Sequence, residues 1–410
     1  MNEYVIIGNG VAAAGCIEGI RSTDAEGRIT VISRERHPVY CRPLISYYLE
    51  GKTDLARLPY REKCFYENNG CRVLYGKTAA SIDPTNQAVT LEDGTAVPYT
   101  SLCVAAGSAP FVPPIEGLDT VPEVFAFMTL DDALALEQAT QTPRRVLIVG
   151  AGLIGLKCAE GLHGRAASIT VCDLADHVLP SILDADSASG LQTHLEKHGI
   201  QFRLSDTAAR FDGQTAYMKS GETVEFDILV MAVGVRANVS LAKDCGCETN
   251  RGIVVDDDMK TTVPGIYAAG DCAEGTDVSC GQKRVLALLP NAYMQGFAAG
   301  VNMAGGAALF DNAIPMNAIG FFGLHVMTAG VYDGELYEEK TDEGCKKLYT
   351  KDGLLKGFIL IGDTTRAGLY TSLIRNRTPL QTINFDLMKK TATSAAFSSE
   401  MRKKLFGGVV

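Results

Sequence analysis

Three stretches of this 410-residue sequence predict an α/β chain of two parallel-sheet domains followed by an α+β cap. Near the start, the apolar run Tyr4–Ile7 enters a turn spaced Gly8-x-Gly10-x-x-Ala13. From Arg145 a second run, Val146–Val149, enters a turn spaced Gly150-x-Gly152-x-x-Gly155. Small residues follow each turn, so a helix can lie close on its strand. Toward the C-terminus, Lys347–Thr350, the turn Lys351-Asp352-Gly353 and Leu354–Gly362 read as a β-hairpin, and Leu369–Ile374 suits a helix better than a strand. Hydrophobic residues make up 46% of the chain and charged ones 21%. This is the balance of a folded chain of two or three domains, at about 100–200 residues each.

The formal net charge of −10 disfavours a nucleic-acid partner, whose phosphates need clustered Lys and Arg. The charge is uneven: residues 1–310 carry 25 basic and 37 acidic side chains, whereas 344–410 carry 12 and 4. Met1-Asn2-Glu3 leads straight into the first strand, and no run reaches the roughly 20 uninterrupted apolar residues of a membrane span. Neither export nor a membrane is expected. The twelve cysteines are scattered, with Cys245-Gly246-Cys247 the one close pair, so the expected home is a reducing cytoplasm. That pair is too small a ligand set for a metal and reads as a loop. The six histidines, including His37, His163 and His325, show no metal spacing.

Each glycine turn has a specific chemistry. Gly8 permits the tight turn, Gly10 lets backbone amides approach a pyrophosphate, and Ala13 allows close packing of helix on strand, with the helix N-terminus facing the diphosphate. A second strand, Arg28–Ser33, is followed by Glu35, placed to accept hydrogen bonds from ribose hydroxyls. Gly150, Gly152 and Gly155 repeat the construction, and the strand Ser168–Asp173 ends in Asp173 with no Arg or Lys after it. A carboxylate there suits free ribose hydroxyls and repels a 2′-phosphate, which predicts NADH over NADPH; the alternative is that Asp173 caps the segment that follows. Both domains are therefore expected to be three-layer, Rossmann-like and dinucleotide-binding. Two such sites in one chain suggest hydride transfer between a nicotinamide and a flavin.

The segment Thr261–Glu274, with Gly270 and Asp271, resembles the stretch that returns the chain to the flavin domain in the pyridine nucleotide-disulfide oxidoreductase superfamily. Leu102–Pro110, with Ala106 and Gly107, and Leu229–Asn238, with Gly234, resemble the strands where the chain crosses between domains. The block Tyr40–Leu49, with Arg42 and Pro43, is similar to the branch containing NADH:rubredoxin reductase, the flavoprotein part of NADH-dependent nitrite reductase, and the NADH oxidases. Ala106 and Ala237 depart from the usual Thr and Pro. The resemblance implies FAD on residues 1–112 and 241–310, with Asp271 holding the ribityl chain and Arg42 and Pro43 at the cofactor. It implies NADH on 113–240, and a cap at 311–410 that in relatives often forms a dimer interface.

In that family, members working through a thiol carry a reactive Cys beside the flavin; here Pro43 takes the position, with Cys41 two residues earlier as the remaining redox candidate. Where relatives pair a Lys with a Glu near the ring, this chain has Tyr47 and Lys157, and a lone Lys157 cation would raise the flavin potential. The expected activity is hydride transfer from NADH to FAD and electron delivery to a small acidic iron–sulfur carrier, rubredoxin- or ferredoxin-like, steered by Lys346, Lys347, Lys351, Lys356, Arg366, Arg375 and Arg377. The alternatives are an NADH oxidase and a flavoprotein subunit held beside an iron–sulfur subunit. The last stretch, with Lys389, Lys390, Arg402, Lys403 and Lys404 among Ser, Thr and Ala, reads as a mobile tail.

Overall fold

The computed structural model describes residues 1–341 and 344–405. Contacts divide it into two units, Met1–Glu274 with Leu289–Phe310, and Gly275–Leu288 with the chain from Asp311 onward.

In the first unit, strand Glu3–Ile7 (β1), helix Val11–Arg21 (α1) and strand Arg28–Ser33 (β2) form the opening parallel unit. The five-stranded sheet runs Ile266–Ala268, Ser101–Val104, β1, β2, Cys71–Tyr75, every neighbouring pair parallel. β1 is buried from Tyr4 to Ile7, as a strand covered on both faces must be, which explains its unbroken apolar run. Strand order reverses at β1. The crevice beyond the carboxyl ends of β1 and Ser101–Val104 is where such sheets bind ligands.

A second parallel sheet runs Ile200–Leu204, Ser168–Asp173, Arg145–Val149, Ile228–Met231, Val124–Phe125, and again reverses beside the strand that carries the glycine turn. An antiparallel three-stranded meander accompanies each sheet, Ala79–Pro98 the first and Ala208–Glu225 the second. Ser108–Pro110 and Val235–Ala237, the two expected crossings, pair with each other antiparallel. One packing device escaped sequence reading: a Cβ on Gly15 or Gly19 would lie 2.3 or 2.2 Å from carbonyl oxygens of helix Leu289–Met303, so the missing side chains let that helix press onto α1.

The second unit is built on an antiparallel sheet, Met316–Phe321, Leu324–Gly330, Leu354–Ile361, Gly344–Lys351, Glu335–Thr341. The expected hairpin is present, its two turn residues Asp352 and Gly353 both left-handed at φ 53° and 70°, the pairing a two-residue hairpin turn demands. Leu369–Ile374 lies within helix Ala367–Arg375, whose Tyr370 and Leu373 share a core with Leu348 and Phe358.

Two expectations are corrected here. The C-terminal stretch is not a loose tail: Ala396 and Phe397 are buried in that core, with helices Phe385–Lys390 and Ser399–Leu405 on either side. Nor are three of the seven basic residues, Lys346, Lys347 and Lys351, free to form a patch. Lys347 is 3% exposed and paired with Glu338, Lys351 is paired with Asp333, and Lys346 binds Glu339 and the carbonyls of Lys389 and Lys390. The lysines balance the acidic edge strand Glu335–Thr341, which lacks the apolar alternation of a strand and went unread.

Candidate functional site

Gly8 follows β1 at φ 109°, and a Cβ there would stand 2.1 Å from the Ala105 carbonyl oxygen; Gly150 repeats this at φ 118°, 2.2 Å from Ala232 O. Only glycine fits either turn. Gly10 and Gly152 cap the two following helices, α1 and Leu153–Leu162, without a side-chain hydrogen bond, and a Cβ on either would meet nothing within 4 Å. Both helix N-termini thus present backbone N–H groups that are unpaired among the described residues, the arrangement that takes an anionic diphosphate. Ala13 is fully buried, and a Cβ on Gly155 would lie 2.0 Å from Gly150 O, so the small residues act as expected by allowing close approach.

The two strand-end carboxylates have different surroundings. Glu35 is bound by Arg42 Nη2 at one oxygen, and Tyr40 donates to the other at 2.7 Å. Arg42 also donates to Met128 O at 2.9 Å, and the Tyr40 hydroxyl accepts from Leu130 N at 2.9 Å. Burial works against the Arg42 charge, yet Tyr40, Glu35 and Asp271 together hold its pKa above the ordinary value. Residues 35, 42 and 271, remote in sequence, therefore share one electrostatic neighbourhood. Asp271 accepts only a long bond, 3.3 Å, from Ser108 Oγ, and burial pushes its carboxyl pKa up. Beside it the amide of Gly270 donates to Gln295 Oε1 at 2.8 Å, while Gln295 Nε2, in a residue 1% exposed, has no partner among the described residues. A buried donor left over beside an under-bonded carboxylate fits a bound polar cofactor.

Asp173, by contrast, accepts from Ala151 N at 2.7 Å and Ala175 N at 2.8 Å, so it braces the second glycine turn and also caps its own loop. Ala106 and Gly107 are tied to the crossing, their carbonyls accepting from Asn238 Nδ2 and Asn238 N at 2.9 Å each. The Gly234 carbonyl accepts from Phe111 N at 2.9 Å.

Pro43 precedes helix Leu44–Leu49 (α2), which carries Tyr47 and is fixed at its end by Arg165 Nε donating to Leu49 O at 2.6 Å. Lys157 Nζ sits 4.6 Å from the Tyr47 ring centroid, bringing these two candidates together. It is not a lone cation, however. Glu160, one helical turn on and 3% exposed, is its ion-pair partner, so the expected net positive charge is largely cancelled. Glu160 is legible in the sequence as the carboxylate three residues after Lys157 on the same helix. Cys41 is half-buried, and burial pushes its thiol pKa up rather than down, the reverse of a reactive thiolate. No set of three or more His, Cys, Asp or Glu among the described residues can hold a metal ion.

Two uncapped glycine turns on two parallel sheets, within one compact unit, give two dinucleotide-type sites, and the chain's family and relatives make it an NADH- and FAD-dependent oxidoreductase. The chain belongs to the family described as pyridine nucleotide-disulphide oxidoreductase, whose model matches residues 2–296. Among similar proteins are the NADH-dependent phenylglyoxylate dehydrogenase subunit epsilon of Aromatoleum evansii, 33% identical over 92% of each chain, and the assimilatory nitrate reductase electron transfer subunit of Bacillus subtilis, 33% identical over 92% of this chain and 49% of that one. The fold matches that of the covalent putidaredoxin reductase–putidaredoxin complex at a TM-score of 0.88 and 21% identity, covering 96% of this chain and 97% of the other.

Proposed function

We propose that FAD lies on the domain formed by residues 1–112 and 241–310, that NADH lies on 113–240, and that electrons leave for an iron–sulfur partner without a thiol relay. Pro43 in the position where thiol-using relatives carry their cysteine, and a half-buried Cys41 whose thiol pKa burial raises, support the absence of a thiol relay. When bound, the flavin supplies the step from a two-electron hydride donor to one-electron release. The chain's own part is positioning and charge. The N-terminal amides of α1 hold the flavin dinucleotide's diphosphate, Arg42 adds a fixed cation that Glu35 orients, and Asp271 with Gln295 Nε2 binds the polyol. Asp173 admits ribose hydroxyls and repels a 2′-phosphate. Tyr47, Lys157 and Glu160 form a nearly neutral wall.

The partner is either a mobile carrier or a fixed subunit. Internal pairing of Lys346, Lys347 and Lys351 weakens long-range steering of an acidic carrier and favours the fixed subunit. The name of the Aromatoleum relative points the same way. A reducing cytoplasm suits twelve free cysteines, and no described helix is long and apolar enough to cross a membrane.

The test is anaerobic reduction of the purified flavoprotein by NADH and by NADPH, then stopped-flow mixing with rubredoxin, ferredoxin, oxygen or a disulfide. Rapid reoxidation by an iron–sulfur protein supports the reading. Rapid reoxidation by oxygen alone makes it an oxidase, and reoxidation by a disulfide restores Cys41 as the relay.

A further inference from the structure

The sequence pair Cys245-Gly246-Cys247 has no part in the nucleotide sites, yet the fold makes it more than a loop. Helix Ser240–Asp244 ends at Cys245, and Gly246, at φ 94°, reverses the backbone. Gly246 N bonds Lys243 O at 3.0 Å and Cys247 N bonds Ala242 O at 2.9 Å, so both cysteines are held on the closing turn. Their sulfurs are 3.8 Å apart. A Cβ on Gly246 would meet nothing within 4 Å, which leaves the turn free to adjust as the sulfurs approach bonding distance.

The two thiols are inequivalent. Cys245 is partly exposed, whereas Cys247 is 4% exposed and donates to Thr261 Oγ1 at 3.3 Å. A third group stands in their field: Tyr99, 4% exposed, has a hydroxyl without a partner among the described residues. Burial, then the charges Cys245, Asp83 and Cys247 would carry, push that hydroxyl's pKa up to about 12, so it stays a donor, available to a developing thiolate. Thr261 precedes strand Ile266–Ala268 at the end opposite Gly270 and Asp271, which separates the pair from the cofactor crevice. A metal is the poorer occupant, since no third ligand is in place among the described residues.

We propose that Cys245 and Cys247 form a redox-switchable dithiol, distinct from the nucleotide sites, which a low-molecular-weight disulfide converts to an intrachain Cys245–Cys247 disulfide. The accessible Cys245 thiolate attacks one sulfur of RSSR, forming a mixed disulfide and expelling RS⁻, which takes up the proton that Cys245 lost. The Cys247 thiolate then attacks Cys245 Sγ, closing the intrachain bond and expelling a second RS⁻, which takes the proton from Cys247. Two electrons pass from the protein to RSSR, which leaves as two RSH. Closure removes the Cys247 bond to Thr261 and so bears on the strap entering strand Ile266–Ala268.

The experiment incubates the flavin-loaded protein with excess glutathione disulfide, quenches in acid, alkylates, and digests with trypsin. Cleavage after Lys243 and Arg251 isolates both cysteines in one peptide, 244–251, with no other cysteine. The expected product is that peptide unalkylated, two hydrogens lighter, and restored by dithiothreitol. Cys247→Ser should stop at a glutathione adduct on Cys245. Burial raises the Cys245 thiol pKa as it does that of Cys41, so attack is slow at neutral pH and the oxidation should accelerate about tenfold per pH unit between pH 7 and 9. What sets Cys245 apart is the second sulfur 3.8 Å away, which turns a mixed disulfide into a closed intrachain bond. Two alkylated cysteines in the wild-type peptide, or a persistent mixed disulfide in it, would overturn the proposal; neither outcome depends on a variant folding or on the assignment of FAD and NADH.

Discussion

After Gly8 the sheet delivers Glu35 into a cluster with Arg42 and Tyr40, so that carboxylate is neutralised by a cation that also senses Asp271. After Gly150 the corresponding strand delivers Asp173 onto two backbone amides, with no cation paired to it among the described residues. The backbone turns are near copies, down to the 2.1 and 2.2 Å clearances that exclude any Cβ. What differs is the charge beside the ribose position. On the proposed assignment the arginine-balanced carboxylate lies with FAD and the carboxylate on backbone amides lies with NADH, so the two sites would differ in one neighbouring charge.

The comparison is broken most severely at the turns. Gly8→Val should yield a colourless protein that does not take up flavin, while Gly150→Val should remain yellow yet lose at least about a hundredfold in kcat/KM for NADH, consistent with several kcal/mol of backbone strain. Absorbance at flavin wavelengths and anaerobic reduction by NADH distinguish the two. If Gly150→Val loses flavin and Gly8→Val keeps it, the cofactors are assigned the wrong way round.

A smaller effect is expected from Asp173→Asn. It removes the charge while retaining one acceptor, so the preference for NADH over NADPH should fall about tenfold to a hundredfold, the worth of a charge-assisted hydrogen bond. Steady-state kcat/KM with both nucleotides measures it, and an unchanged ratio would mean that Asp173 only braces its loop.

Next is the pair behind Tyr47. Lys157→Met leaves the Glu160 charge uncompensated and should lower the flavin midpoint potential, whereas Glu160→Gln leaves the lysine alone and should raise it. Potentiometric titration of both variants and of the double variant checks the signs, the double lying near the wild type. Shifts of the same sign would remove the pair from the flavin's surroundings.

The smallest effect concerns pH. Asp271 is half-buried and desolvation raises its pKa, so in the flavin-free protein its protonated form favours the folded state, and that contribution is lost as pH rises through the raised value. Asp271→Asn should therefore raise the apoprotein's melting temperature by a few degrees at neutral pH, and the gain should shrink toward pH 4, as about 1 kcal/mol shifts a melting point by a few degrees in a large domain. Melting curves from pH 4 to 8 give the answer.

Much of the fold was legible because its signals are local. β1 and Arg145–Val149 are buried on both faces and had to be apolar throughout, Gly8 and Gly150 had to be glycine, and Asp352-Gly353 had to turn left-handed. The strand Glu335–Thr341 was invisible because an edge strand paired with lysines needs no apolar alternation. The stretch around Phe397 looked like a tail because few of its residues are apolar, and those few are the ones that reach the core. In the site, the glycines and strand-end carboxylates are recognisable from spacing, and Glu160 is too, three residues after Lys157 on one helix, whereas Tyr40 and Gln295 are not, since each acts through partners remote in the chain.

By itself the sequence determined where the backbone must turn and which strands must be buried, because those demands fall on a few consecutive residues and admit almost no other side chains. Tertiary structure alone decided the electrical character of groups distant in the chain: that Arg42, Glu35 and Asp271 share one neighbourhood, and that Tyr99, whose hydroxyl has no partner among the described residues, lies in the field of Cys245 and Cys247. A charge acts across space with a strength set by its neighbours and their burial, and neither is written in the spacing of residues along a chain.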